Sequence, residues 1–196
     1  MPKIKRLCVY CGSSSGSQPD YALAARQLAR AMVSKNIDLV YGGAGVGLMG
    51  EIADTVLEEG GDVIGIIPKG LFVKEVVHTG LTELREVGSM HERKLLMSEL
   101  SDGFVALPGG FGTIEEILEI ITWSQLGMHQ KPCGLLNVRR YYDRLIDFLD
   151  HAVSERFIKK IHRSIVLVEE CPDALLAKFE AYKAPEAVKW IDRKSA

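Results

Sequence analysis

Short apolar runs alternate with longer amphipathic segments along nearly the whole chain, and this alternation restricts the possible folds more than any other feature. The apolar runs lack strict alternation of polar and apolar residues, which is typical of strands buried on both faces of a sheet. Strands are predicted at residues 4–10, 37–41, 62–67, 81–87, 104–107, 133–137 and 165–168. Helices are predicted at residues 20–35, 48–59, 89–101, 113–127, 141–154 and 172–182.

Parallel neighbouring strands need a crossover connection, so this order predicts a mostly parallel sheet of about seven strands with helices on both faces. The expected fold class is therefore α/β, with a Rossmann-like, doubly wound architecture. A chain of 196 residues, 47% of them hydrophobic, suits one core, so residues 1–196 are predicted to form a single domain whose last dozen residues fray. Such sheets bind ligands where carboxyl ends of strands meet helix amino ends.

Charge and targeting signals argue against several classes of partner. The 24 basic and 26 acidic residues are well mixed and leave a net charge of −2, so we expect neither a nucleic acid nor a membrane as partner. The first apolar stretch spans seven residues and runs directly into a glycine and serine loop, without a cleavage pattern. These features predict a cytoplasmic protein.

Cysteine and histidine spacing gives no support for a metal site. Cys8 and Cys11 form a CxxC pair, but they fall on or next to a predicted buried strand, where residues three apart point to opposite faces. We interpret them as buried thiols in a reducing compartment. The five histidines include no pair at i and i+4 and no neighbouring cysteine cluster, so no metal is predicted.

A first glycine-rich loop, at residues 42–50, follows the second predicted strand and contains GxGxxG from Gly45 to Gly50. A dinucleotide site would also need an acidic residue at the end of the next strand, which instead ends Ile66-Ile67-Pro68, so NAD is disfavoured. Two interpretations stay open: Gly43, Gly45 and Gly47 contact a phosphorylated ligand, or the glycines only let a helix pack closely on a strand.

A second glycine-rich loop, Pro108-Gly109-Gly110-Phe111-Gly112-Thr113, follows the fifth predicted strand and leads into a helix. Glycines allow close backbone approach, and a helix start offers unpaired N–H groups, which together suit an anion. The loop after the first strand adds hydroxyl groups, including that of Ser13, at the same sheet edge. No Walker lysine follows either glycine run, which argues against a nucleoside triphosphatase.

Two charged residues stand out near these loops. Arg93 falls in the middle of the apolar face that helical periodicity gives to Met90, Leu96, Met97 and Leu100, so it needs a carboxylate, a phosphate or a ligand oxygen unless it reaches solvent.

Glu116 has two explanations. It completes a capping box with Thr113, or it stands one turn into the helix where a sugar ring would lie. In the second case it would stabilise the oxocarbenium-like centre of N-glycosidic cleavage by charge, covalent attack or water activation.

The helix predicted at residues 113–127 also carries two apolar faces. Ile114, Ile117, Leu118 and Ile121 are assigned to the core face. Trp123 and Leu126 then lie on the opposite side, and a second apolar face on one helix indicates a subunit contact.

With these residues in view, the chain resembles the LONELY GUY (LOG) family of cytokinin riboside 5′-monophosphate phosphoribohydrolases, historically labelled lysine decarboxylases. The resemblance extends roughly over residues 7–179 and includes the glycine loop at residues 42–50. The family signature PGGxGTxxE is intact at residues 108–116, and Met90-His91-Glu92-Arg93-Lys94 matches the arginine-bearing helix.

The resemblance implies that Arg93 and Glu116 are catalytic and that a nucleoside 5′-monophosphate, AMP or an N6-substituted adenine nucleotide, is hydrolysed to the free base and ribose 5-phosphate. It also implies a homodimer without metal or cofactor. The implied substrate contacts, besides the catalytic pair, are Glu75, Lys94, Gly110, Phe111, Gly112, Thr113, Ile114, Glu115 and Thr122.

Two other functions remain as alternatives. Molybdenum-cofactor carrier proteins are similar in fold and hold a phosphorylated pterin without turnover, but the combination of Arg93 with Glu116 favours chemistry. An amino-acid decarboxylase would need pyridoxal phosphate on a lysine, and no lysine in the sequence has a suggestive setting.

Overall fold

A computed structural model describes residues 4–71 and 77–185 of the chain. Its centre is a sheet of seven strands, in which every pair of neighbours runs parallel. The strands are β1 (Arg6–Tyr10), β2 (Asp38–Tyr41), β3 (Val63–Pro68), β4 (Glu83–Val87), β5 (Gly103–Ala106), β6 (Cys133–Leu136) and β7 (Val166–Glu169). The predicted seven strands and doubly wound fold class are therefore confirmed.

The spatial order of the strands is β4-β3-β2-β1-β5-β6-β7. The chain builds outward from β1 to β4, returns to the middle of the sheet, and builds outward again from β5. The strand order thus reverses between β1 and β5, where Tyr10 lies beside Ala106. Because ligands bind such sheets outside the carboxyl ends of the strands at this reversal, the loops after β1 and β5 define the region to search.

Helices cover both faces of the sheet. The larger helices are α1 (Pro19–Ser34), α2 (Gly47–Glu58), α3 (Met90–Leu100), α4 (Phe111–Gln125), α5 (Asp143–Ser154) and α7 (Pro172–Glu180), and a short α6 (Lys160–Arg163) precedes β7. One core cluster joins α1, α2 and α7 to the sheet, and a second joins α3, α4 and α5. Alternate residues of β1 enter the two clusters, as the pleat of a strand requires: Leu7 and Val9 belong to the first, Cys8 and Tyr10 to the second.

The two edge strands differ from the prediction of burial, and three of the four residues of β7 are only half-buried. β4 is exposed or half-buried along its whole length because it lies at the edge of the sheet, whereas β3 beside it is fully buried. The predicted fraying at the carboxyl terminus concerns residues that lie almost entirely outside the described ones. Within residues 4–71 and 77–185, no helix is long and apolar enough to cross a membrane.

Candidate active site

Three loops meet at the reversal of the strand order. Gly12 N–H donates to the carbonyl of Pro108 at 3.0 Å, and Leu48 N–H donates to the carbonyl of Gly12 at the same distance. Gly47 has a φ of +57°, and a Cβ there would clash with the backbone of Ser13. Glycine is required at Gly47 both for its left-handed conformation and for the close approach of the loop after β1.

The loops surround a cavity of about 310 Å³ at the carboxyl ends of the strands. Its lining combines glycine backbone, two buried charges and a few apolar side chains. The lining residues are Cys11, Gly12, Ser13, Gly42, Met49, Pro68, Met90, Arg93, Gly110, Phe111, Gly112, Thr113, Glu115 and Glu116.

The amino end of α4 opens directly into this cavity. α4 begins at Phe111, and Gly110 precedes it as an N-cap residue without a capping side chain, so the first N–H groups of the helix have no intrahelical acceptor. A Cβ built at Gly110 or Gly112 would meet no atom within 4 Å. Packing within the protein therefore does not demand glycine at these two positions, and the space they leave open belongs to the cavity.

The predicted capping box at Thr113 is wrong. α4 starts two residues earlier, so Thr113 is a buried residue of its first turn rather than its cap. Glu116 consequently has no role in capping. Ser89 does cap α3, since its hydroxyl accepts from Glu92 N–H at 3.1 Å, and the Glu92 carboxylate accepts from Gly88 N–H.

Glu116 instead forms a nearly buried ion pair with Arg93. Arg93 Nη1 lies 2.7 Å from Glu116 Oε1, and the two side chains are only 11% and 10% exposed. Arg93 Nε also donates to the carbonyl of Ile66 at 3.0 Å, next to the end of β3. A Cβ at Gly42 would clash with Arg93 Nη2, so the first glycine loop provides the room for the guanidinium. The anion that the sequence predicts for Arg93 is thus the Glu116 carboxylate of the neighbouring helix α4.

The ionisation of Glu116 reflects two opposing effects. Burial raises its pKa above the ordinary value of 4.5, while the Arg93 guanidinium acts to lower it and the neighbouring Glu115 to raise it. The net direction is upward. The site therefore holds a carboxyl group whose ionisation is opposed by burial and favoured by the adjacent Arg93 and by Lys94. Such opposing effects are common at catalytic carboxyl groups.

Lys94 lies beside this pair but outside the cavity lining. Its buried ammonium group bridges Glu115 Oε1 at 2.6 Å and Glu119 Oε1 at 3.0 Å. Burial acts to lower the pKa of Lys94, but the hydrogen bonds to the two carboxylates prevail and raise it. These contacts attach α3 to α4 next to the residues that supply Arg93 and Glu116.

Eight of the residues predicted from the sequence come together in the cavity lining. They are Ser13, Arg93, Gly110, Phe111, Gly112, Thr113, Glu115 and Glu116. Lys94, Ile114, Thr122, Gly43, Gly45 and Gly47 are not among its lining residues. Thr122 is exposed and donates its hydroxyl to the carbonyl of Leu118 within α4. Glu75 lies outside the described residues.

The structure adds lining residues that were not predicted, namely Cys11, Gly12, Gly42, Met49, Pro68 and Met90. Cys11 follows the last residue of β1, so it is only half-buried, whereas Cys8 within the strand is fully buried as expected. Cys11 and Gly12 could have been predicted as lining residues from their position directly after a central strand.

The assignment of faces on α3 and α4 needs correction. The buried residues of α3 are Lys94, Met97 and Ser98, whereas Met90 is exposed. On α4, Ile117 and Ile120 are fully buried, whereas Ile121 and Leu118 are only partly buried. Trp123 packs against the same core cluster and so does not lie on an opposite face. Leu126, which is 54% exposed, is the residue that does face away from the core.

The described residues contain no group of three His, Cys, Asp or Glu side chains arranged to hold a metal ion.

Comparison with known proteins then places the chain among its relatives. It is 52% identical over 180 residues to a probable cytokinin riboside 5′-monophosphate phosphoribohydrolase, LOGL9, of Oryza sativa subsp. japonica, covering 92% of this chain and 79% of that protein. The chain belongs to the LONELY GUY family.

Two further comparisons agree with this membership. Cytokinin riboside 5′-monophosphate phosphoribohydrolase LOG1 of Arabidopsis thaliana is 49% identical over 193 residues, covering 98% of this chain and 90% of that protein. Residues 49–179 match a family model described as "Possible lysine decarboxylase". All the cavity residues of α3 and α4, including Arg93 and Glu116, fall within that match.

Solved structures share the fold at much lower identity. The molybdenum cofactor carrier protein of Chlamydomonas reinhardtii superposes with a TM-score of 0.67 at 19% identity, covering 90% of this chain and 98% of that chain. A molybdenum cofactor binding protein of Rippkaea orientalis gives the same TM-score at 20% identity, covering 90% and 95%. At this identity the similarity concerns the fold and not the ligand.

Proposed function

We propose that this member of the LONELY GUY family hydrolyses the N-glycosidic bond of an adenine-type nucleoside 5′-monophosphate and releases the base and ribose 5-phosphate. The observation that carries the proposal is that the Arg93–Glu116 pair and the open amino end of α4 line the same cavity. One cavity thus combines an anion site with a buried carboxylate, the two features that cleavage of a phosphorylated nucleoside requires. The names of relatives about 50% identical to the chain support the same activity.

The phosphate would bind at the glycine-rich start of α4. The N–H groups of the first helical turn carry a partial positive charge, and the open side of Gly110 and Gly112 lets an anion approach the backbone closely. Ser13 adds a hydroxyl group at the same end of the cavity. Binding energy from this remote group fixes the ribose against the reacting carboxylate.

Glu116 would act at the anomeric carbon, where positive charge develops as the bond to the base breaks. Stabilisation by charge, covalent attack and activation of water are three ways for a carboxylate to act there, and all of them require the ionised form. Arg93 serves this requirement, because its guanidinium opposes the effect of burial on the Glu116 pKa and fixes the carboxylate by a 2.7 Å hydrogen bond.

This chemistry fits the cavity better than an amino-acid decarboxylase does. A pyridoxal phosphate enzyme needs a lysine amine in its site, and the described lining residues include no lysine. Lys94, the lysine adjacent in sequence to Arg93, is already held by two carboxylates.

A homodimer and a reducing, cytoplasmic location complete the proposal. Exposed large apolar side chains are concentrated on the elements that cover one face of the sheet and on their loops: Met90, Leu95, Phe111, Leu126, Met128, Phe148 and Phe157. The helices of the opposite face contribute only Leu23 to this set among the described residues. Such asymmetry supports an isologous contact through the α3–α5 face.

All four cysteines are free, which supports a reducing compartment.

Base release from AMP and from adenosine under identical conditions tests the activity. If phosphate contacts contribute about 3 to 5 kcal/mol, kcat/KM for adenosine should be lower by roughly 10² to 10⁴. Adenine and ribose 5-phosphate should appear in equal amounts from AMP. Absence of adenine release from AMP and from N6-substituted analogues would refute the hydrolase, and comparable kcat/KM for AMP and adenosine would refute the phosphate anchor.

A further inference from the structure

The second glycine-rich loop has an unusual pattern of hydrogen bonds around its carbonyl groups. The Leu107 carbonyl accepts the hydroxyl of Tyr142 at 2.6 Å, and the Gly109 carbonyl accepts the hydroxyl of Tyr141 at 2.7 Å. Between them, the Pro108 carbonyl accepts Gly12 N–H at 3.0 Å. Three successive carbonyl groups of the loop therefore each have a donor from a neighbouring segment.

The next carbonyl, that of Gly110, accepts Ile114 N–H at 3.1 Å in the first turn of α4. By contrast, the N–H groups of Gly110, Phe111 and Gly112 have no acceptor among the described residues. The loop thus turns its acceptors towards the protein and leaves its donors free. An anion is repelled by carbonyl oxygens and attracted by N–H groups, so this orientation decides whether the loop binds a phosphate.

Tyr141 determines that orientation at Gly110 through the planarity of the peptide unit. Tyr142 instead holds the Leu107–Pro108 peptide, whose proline nitrogen carries no N–H, and so fixes the start of the loop. In a trans peptide the C=O and the following N–H point in opposite directions. Fixing the Gly109 carbonyl on the Tyr141 hydroxyl therefore directs Gly110 N–H away from Tyr141. Gly109 and Gly110 have no Cβ to restrict their rotation, so this peptide would otherwise be free to turn over.

The segment that carries the tyrosines is itself held rigidly. Arg139 and Arg140 both have positive φ, at 50° and 62°, which is unfavourable for residues other than glycine. The side chain of Asn137 stabilises this turn, because its Oδ1 accepts Tyr142 N–H at 2.7 Å and its Nδ2 donates to Asp143 at 2.9 Å. The two tyrosine rings contact each other edge to face, with centroids 5.1 Å apart.

From this geometry we infer that Tyr141 and Tyr142 are positioning residues for the phosphate site: the Tyr141 hydroxyl holds the Gly109 carbonyl so that Gly110 N–H joins the open first turn of α4 in binding the anion, and the Tyr142 hydroxyl fixes the start of the loop. The inference rests on the proposed function, since it concerns the phosphate end of the same cavity. Neither tyrosine is among the residues that line the cavity, so both act through the loop backbone.

Tyr141→Phe is the decisive variant, because its ring is partly exposed and the freed Gly109 carbonyl can be hydrated without loss of the fold. Tyr21→Phe is the matched control. The Tyr21 ring contacts that of Tyr141 at 5.8 Å, but its hydroxyl makes no hydrogen bond among the described residues. Tyr142→Phe is a second test, expected to lower the melting temperature as well, because it leaves the Leu107 carbonyl without its donor.

The measurement is calorimetric binding of ribose 5-phosphate and of adenosine to the full-length variants. Tyr141→Phe should bind ribose 5-phosphate about 10-fold more weakly and adenosine within about 2-fold of the wild type, whereas Tyr21→Phe should change neither affinity. Unchanged affinity for ribose 5-phosphate in Tyr141→Phe would overturn the inference. An equal loss for both ligands would also overturn it, because that indicates general damage to the cavity.

Binding and turnover separate this inference from the proposed activity. A wild-type protein that binds ribose 5-phosphate through the tyrosine-dependent loop but releases no adenine from AMP would support the positioning role and refute the hydrolase. If the wild-type protein releases adenine from AMP but Tyr141→Phe retains its affinity for ribose 5-phosphate, the hydrolase is supported and the positioning role is refuted.

Discussion

Replacing Glu116 by Gln is the most direct test of how the cavity works. The substitution keeps the shape of the side chain and an oxygen that accepts from Arg93 Nη1, but it removes the negative charge. A full charge about 4 Å from a second one contributes roughly 4 kcal/mol at an effective dielectric constant of about 20, and a partial charge contributes less. Turnover should therefore fall at least about 100-fold, equivalent to about 2.7 kcal/mol.

Loss of stability should not account for this effect. In Glu116→Gln the guanidinium of Arg93 keeps its hydrogen bond to the Ile66 carbonyl and an amide oxygen as second acceptor. The cost of an imperfectly matched buried group is about 1 to 3 kcal/mol, which leaves an ordinary domain folded at room temperature. Circular dichroism and a thermal melt verify that the variant is folded before its turnover of AMP is measured.

Glu119→Gln is the matched control. Glu119 is an acidic residue of the same helix, it pairs with Lys94, and it is not among the cavity-lining residues. Its substitution should leave turnover of AMP within a few-fold of the wild type. If Glu116→Gln also retained turnover within about 10-fold, a charge at this position would not be stabilising the transition state and the catalytic assignment would fail.

Three other predictions concern the charge of Glu116, the glycines of the second loop and the exposed end of α4. The acid limb of the pH profile of kcat should lie above the ordinary Glu pKa of 4.5 and move to higher pH in Arg93→Met, and an unmoved limb would contradict the pairing. Because the folded state binds the Glu116 proton more tightly than the unfolded state does, the contribution of Glu116 to stability should also decline as the pH rises from 4.5 through the raised pKa. Gly112→Ala should fold normally but raise KM for AMP about 10-fold or more. Gly109→Ala should lower the melting temperature, because its Cβ would lie 2.8 Å from Gly12 N. Equal melting temperatures for the two variants would be evidence against this distinction. Leu126→Glu should shift the protein from dimer to monomer in sedimentation at micromolar concentration, and an unaltered dimer would exclude this face.

The strands were predictable from sequence because each depends on a local run of apolar residues with turn signals at its ends. The exposure of the edge strand β4 could not be predicted in this way, because its place at the edge follows from the order of strands in the sheet. Two glycine loops at one edge of the sheet were also predictable, since parallel strands bring the following loops together. The capping box at Thr113 failed because glycines at residues 110 and 112 allow the helix to start before the first residue with a capping side chain.

Partners distant in sequence explain the errors on α3. Helical periodicity assigned Met90 to the core and gave no reason to bury Lys94. Lys94 is buried because Glu115 and Glu119 reach it from another helix, 21 and 25 residues away, and Met90 is exposed because it faces the cavity. Polar burial of this kind depends on tertiary contacts, which a single helical pattern does not contain.

Arg93 shows how the fold and the chemistry of this site depend on each other. Its guanidinium makes hydrogen bonds to the Ile66 carbonyl near the end of β3 and to the Glu116 carboxylate of α4, and Gly42 after β2 leaves space for it. These groups come from three different elements, so the planar guanidinium fixes their relative positions as well as favouring the ionised form of Glu116. A lysine would supply the charge but not two hydrogen bonds at fixed angles. An arginine at this position therefore determines where the reacting carboxylate stands relative to the anion site at the start of α4.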